Sequence, residues 1–299
     1  MSDRAYAAIE HRGAISVTGE DTRDFLQGLI SNDIRKVGPA RAIYAALLTP
    51  QGKFLHDFFI AEAGGALVFD CEAARIPDLF RRLTMYRLRA KVEFTDLRDG
   101  WAVYALFGEG AAAALGLGGD AGDAAPFAGG VVYVDPRLAE LGARALLPRQ
   151  DAEAALAAAG FAAASPEDYD RLRLAHGVPD GGRDIPVDKA FLLEGNFEEL
   201  NGVDFAKGCY VGQELTARTK HRGVVRKRLY RVDVEGPLPA PGTAIMLGER
   251  EAGVMGSGRD GTGIALLRLE QVAKAAETGE ALTAGEARLR PVKPDWAGF

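Results

Sequence analysis

Beyond Arg222 the chain changes character. Residues 225–234, 243–247, 253–258, 262–269 and 287–291 are short apolar runs parted by turns such as Glu235-Gly236-Pro237-Leu238-Pro239-Ala240-Pro241-Gly242. Runs this short bury themselves only by pairing, and Gly/Pro punctuation makes each pairing a tight return. The expected product is a small antiparallel β-barrel over residues 226–299, with a boundary near Arg222 to Arg226.

Residues 1–225 alternate helical and strand periodicities. Residues 14–18 alternate like a strand, and a helix follows with Phe25, Leu26, Leu29 and Ile30 at helical spacing and Asp21 as N-cap. Residues 43–48 and 54–60 form a hairpin through Thr49-Pro50-Gln51-Gly52, where Pro presets φ. A strand at 66–70, a helix near 73–86 with Ile76, Leu79, Phe80 and Leu83 on one face, and a strand at 90–95 complete an α+β unit. A second set has strands at 101–107, 131–134 and 141–147 and an Ala-rich helix at 151–159. Another helix starts at Ser165-Pro166 and ends at Gly177, before a turn at 180–184.

Gly108-Glu109-Gly110-Ala111-Ala112-Ala113 matches G-x-G-x-x-A after a strand, the pattern that seats a pyrophosphate on a helix N-terminus. Gly116, Gly118 and Gly119 cut that helix short and no second parallel repeat follows, so no dinucleotide site is expected. Residues 116–130, rich in small side chains, are expected to be a mobile loop.

Lys and Arg total 36 against 42 Asp and Glu, a net charge of −6, which disfavours nucleic acid and anionic membranes as partners. No apolar stretch reaches a membrane span, and the first residues lack the pattern of a secretion signal. Two cysteines 138 positions apart give neither a disulfide framework nor zinc spacing, and the four His, at 11, 56, 176 and 221, show no ligand spacing. No metal site is expected, and a reducing compartment, the cytoplasm, fits these counts.

The two cysteines differ. Cys71 ends the apolar run Leu67-Val68-Phe69-Asp70 and reads as core, whereas Cys209 sits in Lys207-Gly208-Cys209-Tyr210-Val211-Gly212-Gln213-Glu214 among glycines, a cation and an aromatic ring. Gly208 and Gly212 allow a tight turn, and a helix is expected from Gln213, with Glu214 in its first turn and Arg218 and Lys220 in its last. Lys207 and that helix start are expected to favour thiolate, making Cys209 the reactive group, with Tyr210, Gln213 and Glu214 as its orienting neighbours. A Cys–His hydrolase would need a His such as His221 against the thiol, which the sequence does not place.

The string 201–218 resembles the signature of the YgfZ family of folate-binding proteins, which includes mitochondrial factors that help mature iron–sulfur enzymes. Phe25-Leu26-Gln27-Gly28-Leu29-Ile30-Ser31-Asn32-Asp33 and Leu48-Thr49-Pro50-Gln51-Gly52-Lys53 are similar to the same family and to the glycine-cleavage T-proteins. The resemblance implies an α+β, T-protein-like fold, with ferredoxin-like units around a central cavity over residues 1–225 and the barrel over 226–299. It implies a tetrahydrofolate-binding accessory factor in iron–sulfur protein assembly or repair rather than an enzyme, with assembly or client proteins as partners. The alternative it offers is a folate-dependent aminomethyl- or methyltransferase. In the cationic run that follows the thiol, Arg218 and Arg222 are the candidates to clamp the folate glutamate tail. One departure counts against transfer: where T-proteins have Leu-Glu-Ala-Gly, this chain has Leu174-Ala175-His176-Gly177, without the acid.

Overall fold

Alternation of apolar residues produces, in the computed structural model, which describes residues 4–223 and 225–299, the strands β1 (Ala5–Ala8), β2 (Arg12–Thr18), β3 (Ile43–Leu48), β4 (Phe54–Ala63), β5 (Ala66–Glu72) and β6 (Glu93–Asp96). β7 (Trp101–Phe107), β8 (Ala124–Phe127), β9 (Gly130–Val134), β10 (Ala143–Pro148) and β11 (Ala162–Ala163) follow. They make a five-stranded sheet in the order β3-β4-β5-β2-β6 and a six-stranded sheet in the order β11-β1-β7-β10-β9-β8. The helices in chain order are α1 (Thr22–Gln27), α2 (Ile76–Arg87), α3 (Ala111–Ala114), α4 (Ala152–Ala158), α5 (Pro166–Ala175), α6 (Gly181–Asp184), α7 (Gln213–Arg222) and α8 (Leu269–Thr278). The chain divides into two units. One comprises Met1–Leu48, His56–Tyr169 and Leu200–Val211; the other comprises Thr49–Leu55, Asp170–Glu199 and Gly212–Phe299.

In the first unit each sheet has its own apolar core. Leu26 of α1, Ile30 just beyond it, and Leu79 and Leu83 of α2 pack on Ile15, Phe58, Ile60 and Phe69 of the five-stranded sheet. On the six-stranded sheet, Ala111 of α3 and Leu156 of α4 join Leu106, Val132 and Leu147. Between the two sheets lies a layer of buried charge. Asp70 on β5 accepts from Arg12 Nε of β2 at 2.6 Å and from Arg144 Nε of β10 at 2.8 Å, while Arg12 Nη1 also reaches Asp57 at 3.0 Å. Arg137 pairs with Asp135 at 2.8 Å, and Arg137 and Arg144 both donate to the Tyr169 hydroxyl. The Phe59 ring takes the faces of Arg12, Arg137 and Arg144 at 5.5, 4.8 and 4.3 Å. Burial pushes the Asp70 carboxyl upward, but Arg12 and Arg144 outweigh it and hold the acid below its usual range.

Antiparallel pairing of β7 with both β1 and β10 leaves no parallel crossover after Gly108–Gly110, and the helix there is four residues long. The loop expected to be mobile is instead tied down. Its second half is β8, paired residue by residue with β9, and Gly122 N donates to Val134 O. Small side chains let that segment close on the sheet. Asp21 does not cap α1 with its side chain, which accepts from Lys91 N at 2.8 Å instead. Ser165 does cap α5: its hydroxyl accepts from Asp168 N while Asp168 accepts from Ser165 N.

The second unit contains a closed barrel of β12 (Lys227–Glu235), β13 (Ala244–Leu247), β14 (Arg250–Arg259), β15 (Thr262–Arg268), β16 (Leu282–Ala284) and β17 (Ala287–Val292), in the order β12-β15-β14-β13-β16-β17. Two of its elements, α8 and β16, were not expected from the sequence; β16 is only three residues long. Arg173 of α5, almost fully buried, ties this unit together through Asp170 at 2.7 Å, Asp184 at 3.1 Å and the Ser257 hydroxyl at 2.6 Å.

Two outcomes follow from these buried groups. Asp70→Asn leaves two buried guanidinium groups short of charge, and urea unfolding is expected to show a loss of about 3–5 kcal/mol with an unchanged m-value. His56 on β4 is buried against Asp78 at 2.9 Å; burial first, then Arg75, lower its pKa from 6.5 to about 4 despite the opposing pull of Asp78. A buried base with a depressed pKa binds fewer protons than the unfolded chain between those values, so its stability contribution falls as pH drops from 6.5 to about 4. The loss should reach about 3 kcal/mol, and His56→Gln should remove that part of the pH dependence in urea titrations at successive pH values.

Candidate functional site

The segment 201–211 has no regular secondary structure, so its backbone polar groups need partners from elsewhere. Those partners come from residues 27–36 of the same unit. Ser31 Oγ donates to Gly202 O at 2.6 Å and accepts from Ala46 N at 2.8 Å; Asn32 Nδ2 donates to Asn201 O and Tyr44 O, each at 2.8 Å. Asp204 N donates to Ser31 O at 3.0 Å, and its carboxylate pairs with Lys36 at 2.7 Å. Gln27 Nε2 donates to Lys207 O at 2.9 Å while its Oε1 accepts from Ile34 N at 3.1 Å. The two stretches that carry the family resemblance are therefore laced to each other.

Lys207 was expected to sit beside the thiol as its electrostatic activator, and its ammonium goes elsewhere. It is 7% exposed, donates to Gln27 O at 2.7 Å and Ile30 O at 2.6 Å, and lies 5.0 Å from the Tyr210 ring centroid. The first of those carbonyls ends α1 and the second lies in the turn after it, where a cation satisfies orphan acceptors. Burial lowers its pKa to about 8, with Asp33 and Asp204 pulling the other way. Lys207 is thus a structural pin.

The other side of the thiol is pinned too. Tyr210 is buried, Val211 N donates to Gly28 O at 3.0 Å, and the Val211 side chain packs against the core of the five-stranded sheet. Between these anchors Gly208 takes φ +95° with open space where a Cβ would stand, and Cys209 is exposed. Cys209 is therefore presented at the crest of a loop held on both flanks. Cys71 is the opposite case: buried, with its thiol on Gly13 O at 3.6 Å and its pKa pushed far up by burial.

In the second unit α7 begins at Gln213 as expected, with Gly212 at φ +82° as its N-cap and Glu214 exposed in its first turn. The hairpin turn expected at 49–52 meets this helix start. A Cβ on Gly52 would stand 2.9 Å from Gly212 O and 3.2 Å from Leu215 Cβ, so only glycine fits. Arg218 is exposed on α7, and the Arg222 side chain lies outside the described residues. The cationic run does not act as one group, because Lys220 pairs with Glu198 and buried Arg228 with Glu199 at 2.8 Å. Gln27, Ser31 and Asn32 had no role in the sequence reading beyond the resemblance itself. Their small polar side chains at a helix end were the available signal.

Because Lys207 holds carbonyls rather than the thiol, Lys207→Met should lower stability by about 2–3 kcal/mol. The variation of Cys209 alkylation rate with pH should be the same as in wild type. Stopped-flow alkylation beside urea unfolding separates the two effects, and a displaced alkylation profile would restore Lys207 as an activator.

The family model described as the GCVT N-terminal domain matches residues 5–124, and the one described as CAF17, C-terminal beta-barrel domain, matches residues 226–299. Among solved structures, the glycine cleavage system aminomethyltransferase T from Bartonella henselae superposes with a TM-score of 0.76 over 98% of this chain and 85% of its own, at 18% identity, so the fold is that of the T-proteins. The iron-sulfur cluster assembly factor IBA57, mitochondrial, of Homo sapiens is 36% identical over 310 residues, covering 96% of this chain and 84% of that protein. Its Mus musculus counterpart is 35% identical over 291 residues, covering 88% and 77%. Both relatives are mitochondrial by name, which overturns the cytoplasmic location expected above; scarce cysteines mark a reducing compartment and do not tell the cytosol from the interior of an organelle. With more than a third of positions identical to the human relative across nearly the whole chain, a T-protein fold and a closed C-terminal barrel, this chain belongs to the IBA57 family of iron–sulfur cluster assembly factors.

Proposed function

We propose that this chain assists iron–sulfur cluster assembly through the Cys209 thiol, and that its T-protein-like region binds tetrahydrofolate. The observation that carries the reading is the exposed, free Cys209 held between the buried anchors Lys207 and Tyr210. A cluster takes about four thiolates or their substitutes, so one exposed thiol supplies a single ligand or a nucleophile, and a partner protein supplies the rest. Cluster is then cargo that passes the loop. The similarity of the Lys207–Glu214 string to YgfZ proteins supports the same assignment. The family name of the relatives supports assembly or client proteins as the partners, and among the described residues no helix is long and apolar enough to cross a membrane.

For folate, the supports are the T-protein fold and exposed Arg218 on α7, with Arg222 one turn on, as a clamp for glutamate carboxylates. One-carbon transfer is not part of the proposal, since the position of the T-protein acid is held by Ala175.

Cys209→Ala should fold normally yet fail to restore iron–sulfur enzyme activities in cells lacking the wild-type protein, measured under oxidative stress. Full restoration by that variant would end the thiol proposal. Separately, calorimetric titration of tetrahydrofolate should show binding in wild type and Cys209→Ala that weakens about tenfold in Arg218→Ala. No heat of binding in any of the three would remove folate and leave the thiol proposal standing.

A further inference from the structure

The turn Thr49-Pro50-Gln51-Gly52-Lys53 is rigid. Gly52 N donates to Thr49 O at 2.8 Å, Thr49 N to Lys53 O at 2.9 Å, and Lys53 N to Thr49 Oγ1 at 3.1 Å. Its base is tied to segment 186–191 of the same unit: Phe54 N donates to Ala190 O at 2.9 Å, and Asp188 N to Phe54 O at 2.8 Å. Pro50 removes a further backbone freedom at the second turn position.

The tip of this turn rests on the start of α7. Gly52 stands at φ +77°, and a Cβ there would meet Gly212 O at 2.9 Å and Leu215 Cβ at 3.2 Å. The nearer atom is backbone and cannot swing aside as the end of a side chain would, so any Cβ at position 52 forces the turn or the helix start to move. Gly212 is itself a bend, at φ +82°, through which the chain enters α7. One residue earlier, Val211 N is bound to Gly28 O at 3.0 Å. Gly208, Cys209 and Tyr210 are all that lies between that foot of the loop and buried Lys207 at the other. A displacement at Gly212 therefore has two residues in which to die out before it reaches Cys209.

We infer that Gly52 is a positioning residue for the Cys209 thiol. Bare of a side chain, it lets the turn close on Gly212 and so fixes the C-terminal foot of the loop that carries the sulfur. Its effect on the loop follows from the contacts; its consequence in cells rests on the thiol reading of function. Position 52 requires space as well as positive φ. Gly242, in the same unit at φ +86° with nothing within 4 Å of a Cβ, requires the conformation alone, so substitution there brings the strain without the contact.

The test follows amide hydrogen exchange of the full-length protein by NMR, beside restoration of iron–sulfur enzyme activities in cells lacking the wild-type protein. Asparagine tolerates positive φ better than alanine, so Gly52→Asn eases the strain and keeps the contact. The Val211 amide should exchange about tenfold faster in both Gly52→Ala and Gly52→Asn, with restoration reduced in step. Gly242→Ala should match wild type in both readouts. If the Gly52 variants do not fold, Thr49→Val, which removes the acceptor of Lys53 N, should speed Val211 exchange, and Thr49→Ser, which keeps it, should not. Unchanged Val211 exchange in folded Gly52 or Thr49→Val variants, wild-type exchange recovered in Gly52→Asn, or equal acceleration in Gly242→Ala would overturn the inference. Full restoration by Cys209→Ala would remove the thiol reading and leave Val211 exchange to decide the placement of the loop by itself.

Discussion

Asp70 is the carboxylate on which the first unit turns. It accepts from Arg12 on its own sheet and from Arg144 on the other, so one buried side chain fixes the facing of two sheets. Arg12, Arg137 and Arg144 are matched by Asp57, Asp70 and Asp135, and a fully matched buried network is tolerable where a half-matched one is worse than an apolar core. The match also selects register. A one-residue slip of β10 would turn Arg144 to the opposite face and leave the buried acids one guanidinium short, so the charges hold the two apolar sheets in a single register.

The same rule, applied to irregular backbone, accounts for the thiol loop. A segment without helix or strand stays fixed only if side chains do the work of a ladder, and Gln27, Ser31, Asn32 and Lys207 do so. The cost is a buried ammonium, visible in its lowered pKa. What it secures is a thiol with no freedom to fold back into the core, flanked by a glycine on one side and a buried ring on the other. Presentation, rather than proximity of a cation, is the physical property of Cys209 that the structure supports.

Much of this was legible before any coordinates. The strands of the barrel follow from apolar runs between Gly/Pro turns, and the contrast between Cys71 and Cys209 follows from their neighbours alone. Other features were not legible, each for a definite reason. Sequence adjacency in a loop does not say which way a side chain turns, so Lys207 was read toward the thiol and not toward the end of α1. Arg12 and Asp70 stand at the ends of apolar runs, where charge normally marks a boundary, and nothing local signals that they meet across 58 positions. The strand β8 hides in a stretch of small residues because its hydrogen bonds come from β9 and not from its own composition.

The stretch that resembles the T-protein acid motif carries its own set of ties in this chain. Ala175, at the position of the acid, is exposed, while the charges around it turn inward: Arg173 is consumed by Asp170, Asp184 and Ser257, and the His176 carbonyl accepts from Trp296. Gly177 beside them is closed in, since a Cβ there would meet Pro294 at 2.7 Å. In this chain the helix end is a tie within the second unit, and the exposed thiol is that of Cys209, on a loop of the first.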